Sequence, residues 1–252
     1  MKILHANPSH AADIARLIIS AMTDDCCQFL VGPGHTLEDF HNTMLRLVLM
    51  DDSQYSWRNA FVAVDDEASP DDLEHAPVAG AIVGYDGKDL HRLRRRFQEA
   101  AMTDWQMDYS NMDDETAEGE FYLDSLAVYP HYRKRGIASQ LLNRFISHAA
   151  TLGLPAALLV DKGNPSAERL YTSLGFEYCN DAMWGGHAMR HLVHKLKERY
   201  ISAKNQKDSC WLAKGVLLVC KRGPFRVQKD YIWSAKGVLL EMLSVMWGNV
   251  KC

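Results

Sequence analysis

No apolar run approaches the roughly 18 residues that a membrane-spanning helix needs, so no bilayer crossing is expected. Six cysteines are present, at 26, 27, 179, 210, 220 and 252, yet none forms a C-x-x-C pair and no Cys/His cluster has zinc spacing. A disulfide scaffold and a structural zinc site are therefore not expected. No leader pattern precedes Ile3, and a reduced cytoplasm is the expected compartment. Basic charge is scarce as well: 28 Lys and Arg stand against 32 Asp and Glu, a net −4. Nine of the basic side chains but only three of the acidic ones fall in residues 201–252, leaving 19 against 29 in the first 200. An acidic body argues against nucleic-acid binding and suits a cationic amine partner, although acidity also simply keeps a protein soluble.

Two common phosphate-binding strings are missing too. Neither G-x-x-x-x-G-K-[ST] nor a G-x-G-x-x-G after the first strand occurs. In their place residues 121–142 read FYLDSLAVYPHYRKRGIASQLL. An alternating apolar run ends at Pro130, then a cationic loop carries Arg133, Lys134 and Arg135 into Gly136, and a helical pattern follows. A strand, a loop with free backbone N–H groups and a helix N-terminus together make an anion site, here suited to a pyrophosphate.

The spacing predicts a short edge strand over 2–6. A helix follows with Ile14, Leu17, Ile18 and Met22 on one face, capped by Asn7 or Ser9. Gly32-Pro33-Gly34 breaks the chain, and Thr36 caps a second helix whose stripe is Phe40, Met44, Leu47 and Val48. Strands are expected over 60–64 and 78–85, joined as an antiparallel hairpin by a mobile acidic loop. Residues 88–118 place Leu90, Leu93, Phe97 and Ala101 on one helical face, with Arg92, Arg94, Arg95 and Arg96 around the rest as a solvated, charge-balanced surface. A central strand over 120–128, a helix over 136–153 and a strand over 156–160 form a strand–helix–strand crossover, hence a parallel pair. A helix over 164–174 stops at Gly175, and strands are expected from 176 and over 188–196. Residues 206–218 and 228–240 agree at ten of thirteen positions. Two copies are too few for a solenoid, and 201–252 is read as a basic appendage.

Arg133-x-x-Gly136-x-Ala138, followed by Asn164-x-x-Ala167-x-x-x-Tyr171-x-x-x-Gly175-Phe176 and preceded by Leu126-x-Val128, resembles the GNAT superfamily of acetyl-CoA-dependent N-acetyltransferases. The likeness covers the layout of residues 1–196 and is specific over 119–178. It implies a mixed α/β (α+β), mostly antiparallel sheet with a splayed parallel strand pair, flanked by helices. The domain would span 1–200, with 88–118 as an insertion that the usual layout lacks. By position, the backbone of Arg133, Lys134, Arg135, Gly136, Ile137, Ala138 and Ser139 would hold the pyrophosphate of acetyl-CoA. Leu126 and Val128 would pair with the pantetheine arm, with the Val128 N–H facing the developing oxyanion. Asn164 and Ala167 would lie along the cofactor, and Tyr171 would protonate the departing sulfur. The family draws its general base from different places; Asp124 is preferred here and Glu120 is second.

Plainer roles stand beside these: a helix cap for Asn164, packing for Tyr171, and ordinary carboxylates for Asp124 and Glu120. The acceptor would be a small-molecule or peptide amine, on a wall provisionally assigned to Trp105, Tyr109 and the acids at 113–115. His187, His191 and His194 would gather a metal only on a helix; the strand expected there turns His194 away, and no metal is expected. Cys179 is read as idle. No nucleic-acid or membrane partner is implied, and a homodimer is compatible. A non-catalytic acyl-CoA sensor, or an interaction protein acting through the basic tail, would keep the same motifs without turnover.

Overall fold

The computed structural model describes residues 1–196; the repeat-bearing tail at 201–252 lies outside the described residues. Seven strands form one sheet in the order β1-β2-β3-β4-β5-β7-β6. They are β1 (Lys2–His5), β2 (Ala60–Val64), β3 (Val78–Asp86), β4 (Phe121–Val128), β5 (Ala156–Asp161), β6 (Glu177–Trp184) and β7 (His187–His194). Every neighbouring pair is antiparallel except β4–β5. The expected architecture is what forms, with β1 at an edge and β2–β3 as a hairpin.

Among the described residues six helices cover the sheet: α1 (Ala11–Met22), α2 (Asp24–Val31), α3 (Leu37–Leu49), α4 (Leu90–Trp105), α5 (Ile137–Leu152) and α6 (Pro165–Ser173). The helix α2 was not expected. It is only eight residues long, and Thr23 caps it by accepting from the Cys26 N–H. Its core contribution is Cys27, Leu30 and Val31, too short a stripe to register as periodic. Thr36 and Asp39 form a reciprocal capping box at α3.

Helices α1 to α4 bury one face of the sheet through Ile14, Leu17, Phe40, Leu47, Phe97 and Trp105. Helix α5 buries the other through Leu141, Leu142 and Phe145 against Phe61, Leu123 and Leu158. Strands β2 and β3 are therefore buried on both faces, which is why they read as nearly unbroken apolar runs.

Residues 88–118 form α4 and a return loop. The Gly87 N–H donates to the Glu120 carbonyl at 2.9 Å, closing the base of this excursion next to the Asp86–Phe121 strand pair. Leu90, Leu93, Phe97 and Ala101 are buried as the spacing requires. The arginine run is not a uniformly solvated face. Arg94 is 3% exposed and pairs with Glu115 and with Asp114, while donating to the Met112 and Asp113 carbonyls. A buried guanidinium needs such partners to offset desolvation, and the acids at 113–115 supply them from twenty residues away. Arg96 pairs with Asp52 and Glu99, and Arg92 with Asp89.

Strand β4 carries a bulge. Val83 opposes Ser125 while Gly84 opposes Leu123, leaving Asp124 with no partner. Phe121 and Leu123 pack toward α5 before it, and Leu126 and Val128 do so after it, so the facing switches from odd to even positions. Gly84 lies beneath this irregularity, where an added Cβ would stand 2.2 Å from the Tyr122 carbonyl oxygen and 2.4 Å from the Phe145 ring. Replacing Gly84 by Ala should cost about 2–3 kcal/mol, since overpacking against backbone cannot relax cheaply. Denaturant unfolding of the Gly84→Ala protein checks this; an unchanged midpoint contradicts it.

Candidate active site

The parallel pairing of β4 and β5 stops after Leu123 and Leu158, although β4 runs on to Val128 and β5 to Asp161. Beyond that point the strands separate. On its other side β4 stays paired with β3, and the Tyr129 N–H reaches the Ala79 carbonyl at 2.9 Å. Antiparallel ladders alternate, so odd positions of β4 serve β3 here, and the backbone groups of Leu126 and Val128 face the opening toward β5. The Val128 carbonyl accepts from Arg133 Nε at 3.0 Å, which leaves the Val128 N–H facing that opening.

The loop after β4 leads straight into α5. Lys134 and Gly136 both have positive φ, 60° and 74°. These left-handed residues turn successive N–H groups to one side, the concave arrangement that binds anions. Gly136 is the N-cap of α5, and no side chain caps the helix. The first intrahelical bond closes only at the Gln140 N–H to the Gly136 carbonyl, 3.1 Å. The earlier N–H groups of this turn are thus the helix's orphan donors, at its positive end. The requirement for glycine is conformational: a Cβ on Gly136 would meet nothing within 4 Å, but its φ disfavours any other residue. Arg135 stacks over the Tyr132 ring at 5.3 Å, and Arg133, Lys134 and Arg135 are exposed. Ile137 is buried under the loop, while Ala138 and Ser139 begin the half-buried face of α5.

The bulge places Asp124 on the face covered by α1 to α4. Its carboxylate accepts from Gln54 Nε2 at 3.3 Å and from Ser125 Oγ at 2.8 Å. Burial raises its pKa from 3.8 to about 6, against the lowering effect of the Ser125 and Gln54 hydrogen bonds and of Arg94. The residue keeps partial exposure. Three phenols surround it: Tyr55, Tyr85 and Tyr122 all have pKa values raised well above 10, first by burial and next by the Asp124 charge. Tyr85 donates to Glu115 at 2.7 Å, joining this cluster to the Arg94 pair.

Glu120 sits one residue before β4 and is already engaged. It accepts from Thr116 Oγ1 at 2.6 Å and lies 2.9 Å from His191 Nε2. Asn164 caps α6, accepting from the Ala167 N–H at 3.1 Å and from Ser166 Oγ at 3.0 Å. Tyr171 is half-buried, with its ring edge-on to Phe176 at 5.9 Å. Burial pushes its phenol up to about 12, so it stays protonated at neutral pH.

Three assignments of the sequence reading need correction. Trp105 is 4% exposed and stacks on Phe40 at 5.3 Å, a core position rather than an acceptor wall. Tyr109 donates to the Leu30 carbonyl at 2.8 Å, bracing α2. Glu115 is consumed by Arg94 and Tyr85. Gln54 was missed entirely. Its signal is the polar string Ser53-Gln54-Tyr55-Ser56, all of it buried, and sequence alone reads such a string as an exposed turn. His187 pairs with Asp161 and His191 with Glu120 on strand β7, and no cluster able to hold a metal exists among the described residues. No helix among the described residues is long and apolar enough to cross a membrane. Two surface clefts, one around His5, Phe61 and His148 and one around Ile146, Leu174 and His194, contain none of the predicted site residues.

Known proteins give the comparison. The acetyltransferase (GNAT) family model matches residues 60–176, from β2 through α6 to Phe176. A crystal structure described as an acetyltransferase superposes with a TM-score of 0.63 at 24% identity, covering 78% of this chain and 100% of its own. An N-acetyltransferase from Staphylococcus aureus Mu50 gives a TM-score of 0.63 at 20% identity, covering 77% and 100%. No curated protein matches the sequence. The two structures share the fold, and the family match falls on the strands and helices that build the opening. Residues 60–176 of this chain belong to the acetyltransferase (GNAT) family.

Proposed function

We propose that this protein transfers the acetyl group of acetyl-CoA to a primary amine by direct attack. One observation carries the reading: a half-buried carboxylate, Asp124, sits on the bulge where β4 parts from β5, and desolvation raises its pKa to about 6. The opening leads to an uncapped helix N-terminus with two left-handed residues before it. The donor set fits a pyrophosphate bearing a peptide-like arm, with main-chain amides for the phosphates and an unpaired strand edge for the arm.

In this reading the N–H groups of residues 134–139 at the start of α5 hold the pyrophosphate, the Arg133 N–H being taken by the Pro130 carbonyl at 3.2 Å, and the side chains of Arg133, Lys134 and Arg135 add attraction. Leu126 and Val128 pair with the arm as an added strand would, with Asn164 and Ala167 along its other side. The thioester supplies an activated acyl carbon. The amine nitrogen forms the C–N bond as the C–S bond breaks. The Val128 N–H donates to the carbonyl oxygen that gains charge.

Asp124 takes the proton that nitrogen loses, and Tyr171 gives one to the sulfur. An aliphatic ammonium has a pKa near ~10 and no lone pair, so the acceptor reacts as the neutral amine, and Asp124 takes the further N–H proton that becomes acidic as the C–N bond forms. Raising Asp124 from 3.8 to about 6 makes it a stronger base for that proton by about two units, on the order of 2–3 kcal/mol. Glu120, held by Thr116 and His191, remains the second candidate for this base.

Acetyl-CoA is the substrate and no resident metal is required. An acidic body favours a cationic acceptor, and small amines, polyamines, aminoglycosides, amino acids and peptide N-termini make up the panel to screen for thiol release. Turnover of at least one is expected. Acetyl-CoA binding without turnover of any would replace this reading with that of an acyl-CoA sensor.

Asp124→Asn should lower kcat about 10²- to 10⁴-fold and abolish the rise of kcat/KM with pH through about 6. The same substitution should stabilise the fold. A carboxyl whose folded pKa is raised contributes stability only below its unfolded value, and that stability is lost as pH rises from about 4 to about 6. The neutral amide escapes the loss, so the thermal midpoint of Asp124→Asn should exceed that of the wild type at pH 8 and match it near pH 3.8. A slower but equally stable variant would mean that Asp124 is not desolvated as described.

Gly136→Val forces a β-branched residue to a φ of 74° at the N-terminus of α5. Calorimetry should then show acetyl-CoA affinity falling by at least about tenfold, the equivalent of ~1.4 kcal/mol. Undiminished affinity would place the phosphates elsewhere.

A further inference from the structure

Residues 50–56 connect α3 to the strand β2, and they carry polar side chains into the interior. Ser53, Gln54, Tyr55 and Ser56 are all buried, Gln54 to 4% exposure. The segment is pinned from several sides. The Ser56 N–H donates to the Ser53 carbonyl at 3.1 Å. Asn59 Nδ2 donates to the Ser53 and Gln54 carbonyls at 3.0 and 3.2 Å. The Tyr55 ring packs edge-on to Phe97 of α4 at 6.1 Å. Arg96, also on α4, pairs with Asp52 at 2.7 Å, and Arg58 pairs with Asp51 at 2.7 Å. The Gln54 backbone therefore has little freedom.

Its side chain is half used. Nε2 donates to the Asp124 carboxylate at 3.3 Å, while Oε1 is buried and has no hydrogen-bond partner. Turning the amide over would set its oxygen against an ionised carboxylate, so the donor assignment follows from charge. A buried acceptor left unpaired costs about 1–3 kcal/mol, and such a group in a folded protein calls for a missing donor. Here the missing donor belongs beside the carboxylate on the bulge.

We propose that Gln54 receives the acceptor nitrogen: its Oε1 accepts one N–H of the incoming amine while its amide N–H holds Asp124 ready for the other proton. This rests on the transferase reading above. The nitrogen is thereby held by two acceptors, which directs its lone pair away from both and toward the acyl carbon. A hydroxyl acceptor has one proton and cannot satisfy both groups, so the pair favours primary amines over alcohols.

The test uses the full-length protein and the amine of the screening panel that the wild type turns over fastest. Gln54→Met keeps the side-chain volume and removes both polar groups; Gln54→Ala accompanies it. Gln54→Met should raise the amine KM about 10- to 100-fold, with acetyl-CoA affinity and thermal midpoint close to wild type. It should also move the acid limb of the kcat/KM profile to higher pH, because a donor to the Asp124 carboxylate is gone. The other groups facing Asp124 are Tyr55 on the same segment, Tyr85 on β3, Tyr122 on β4, Arg94 on α4 and Glu115 beyond it, and none is altered. A merely structural role would lower the thermal midpoint without moving that limb. An unchanged amine KM and an unmoved limb in Gln54→Met, alongside an active wild type, overturn this inference alone. A wild type that binds acetyl-CoA and acetylates no amine overturns it together with the transferase reading.

Discussion

Everything in this molecule depends on where one strand stops pairing. Strands β4 and β5 share three residue pairs and then separate, while both continue for several residues. Exposed strand backbone inside a sheet is unfavourable unless something pairs with it, because each unmade bond to a buried amide or carbonyl costs free energy. The bulge at Asp124 falls where this opening begins, and there the carboxylate is desolvated. Gly84 makes room beneath it, by lacking the Cβ that would collide with Tyr122 and Phe145. Geometry and acidity thus have a common origin: the residue that breaks the ladder is the one whose proton affinity changes.

Support for that residue comes from a distance. The α4 excursion leaves the sheet after Asp86 and returns at Phe121. Arg94 holds the returning loop, and Phe97 and Arg96 hold the 50–56 segment. That segment presents Gln54 to Asp124, while Tyr85 ties the Arg94–Glu115 pair back to β3. The excursion therefore acts on the opening through packing and fixed hydrogen bonds, and no side chain of α4 forms a direct hydrogen bond to Asp124 among the described residues.

Most of the architecture was legible because the helices α1, α3, α4 and α5 carry long apolar stripes and the central strands are bounded by clear turn residues. Gly136 and its cationic neighbours marked the start of α5 in the sequence, since glycine takes the positive φ found there at little cost. What sequence could not convey was long-range compensation. Four arginines in five positions look solvated until Glu115 and Asp114 fold back onto Arg94. Trp105 and Tyr109 look like a ligand wall until Phe40 and the Leu30 carbonyl claim them. The signal at Gln54 was ambiguous, because a buried S-Q-Y-S turn is indistinguishable by composition from an exposed one. The strand register past Asp124 was also hidden, because an extra residue reverses the facing of all that follow.

The proposed seat of acetyl-CoA is the unpaired edge of β4 together with the start of α5. Amide hydrogen exchange read residue by residue by NMR, with and without acetyl-CoA, tests it most directly. Acetyl-CoA should bring new protection at Leu126 and Val128 and across residues 134–139, with little change along β1 and β6. Protection confined to other parts of the sheet, or none at Leu126 and Val128, would contradict it.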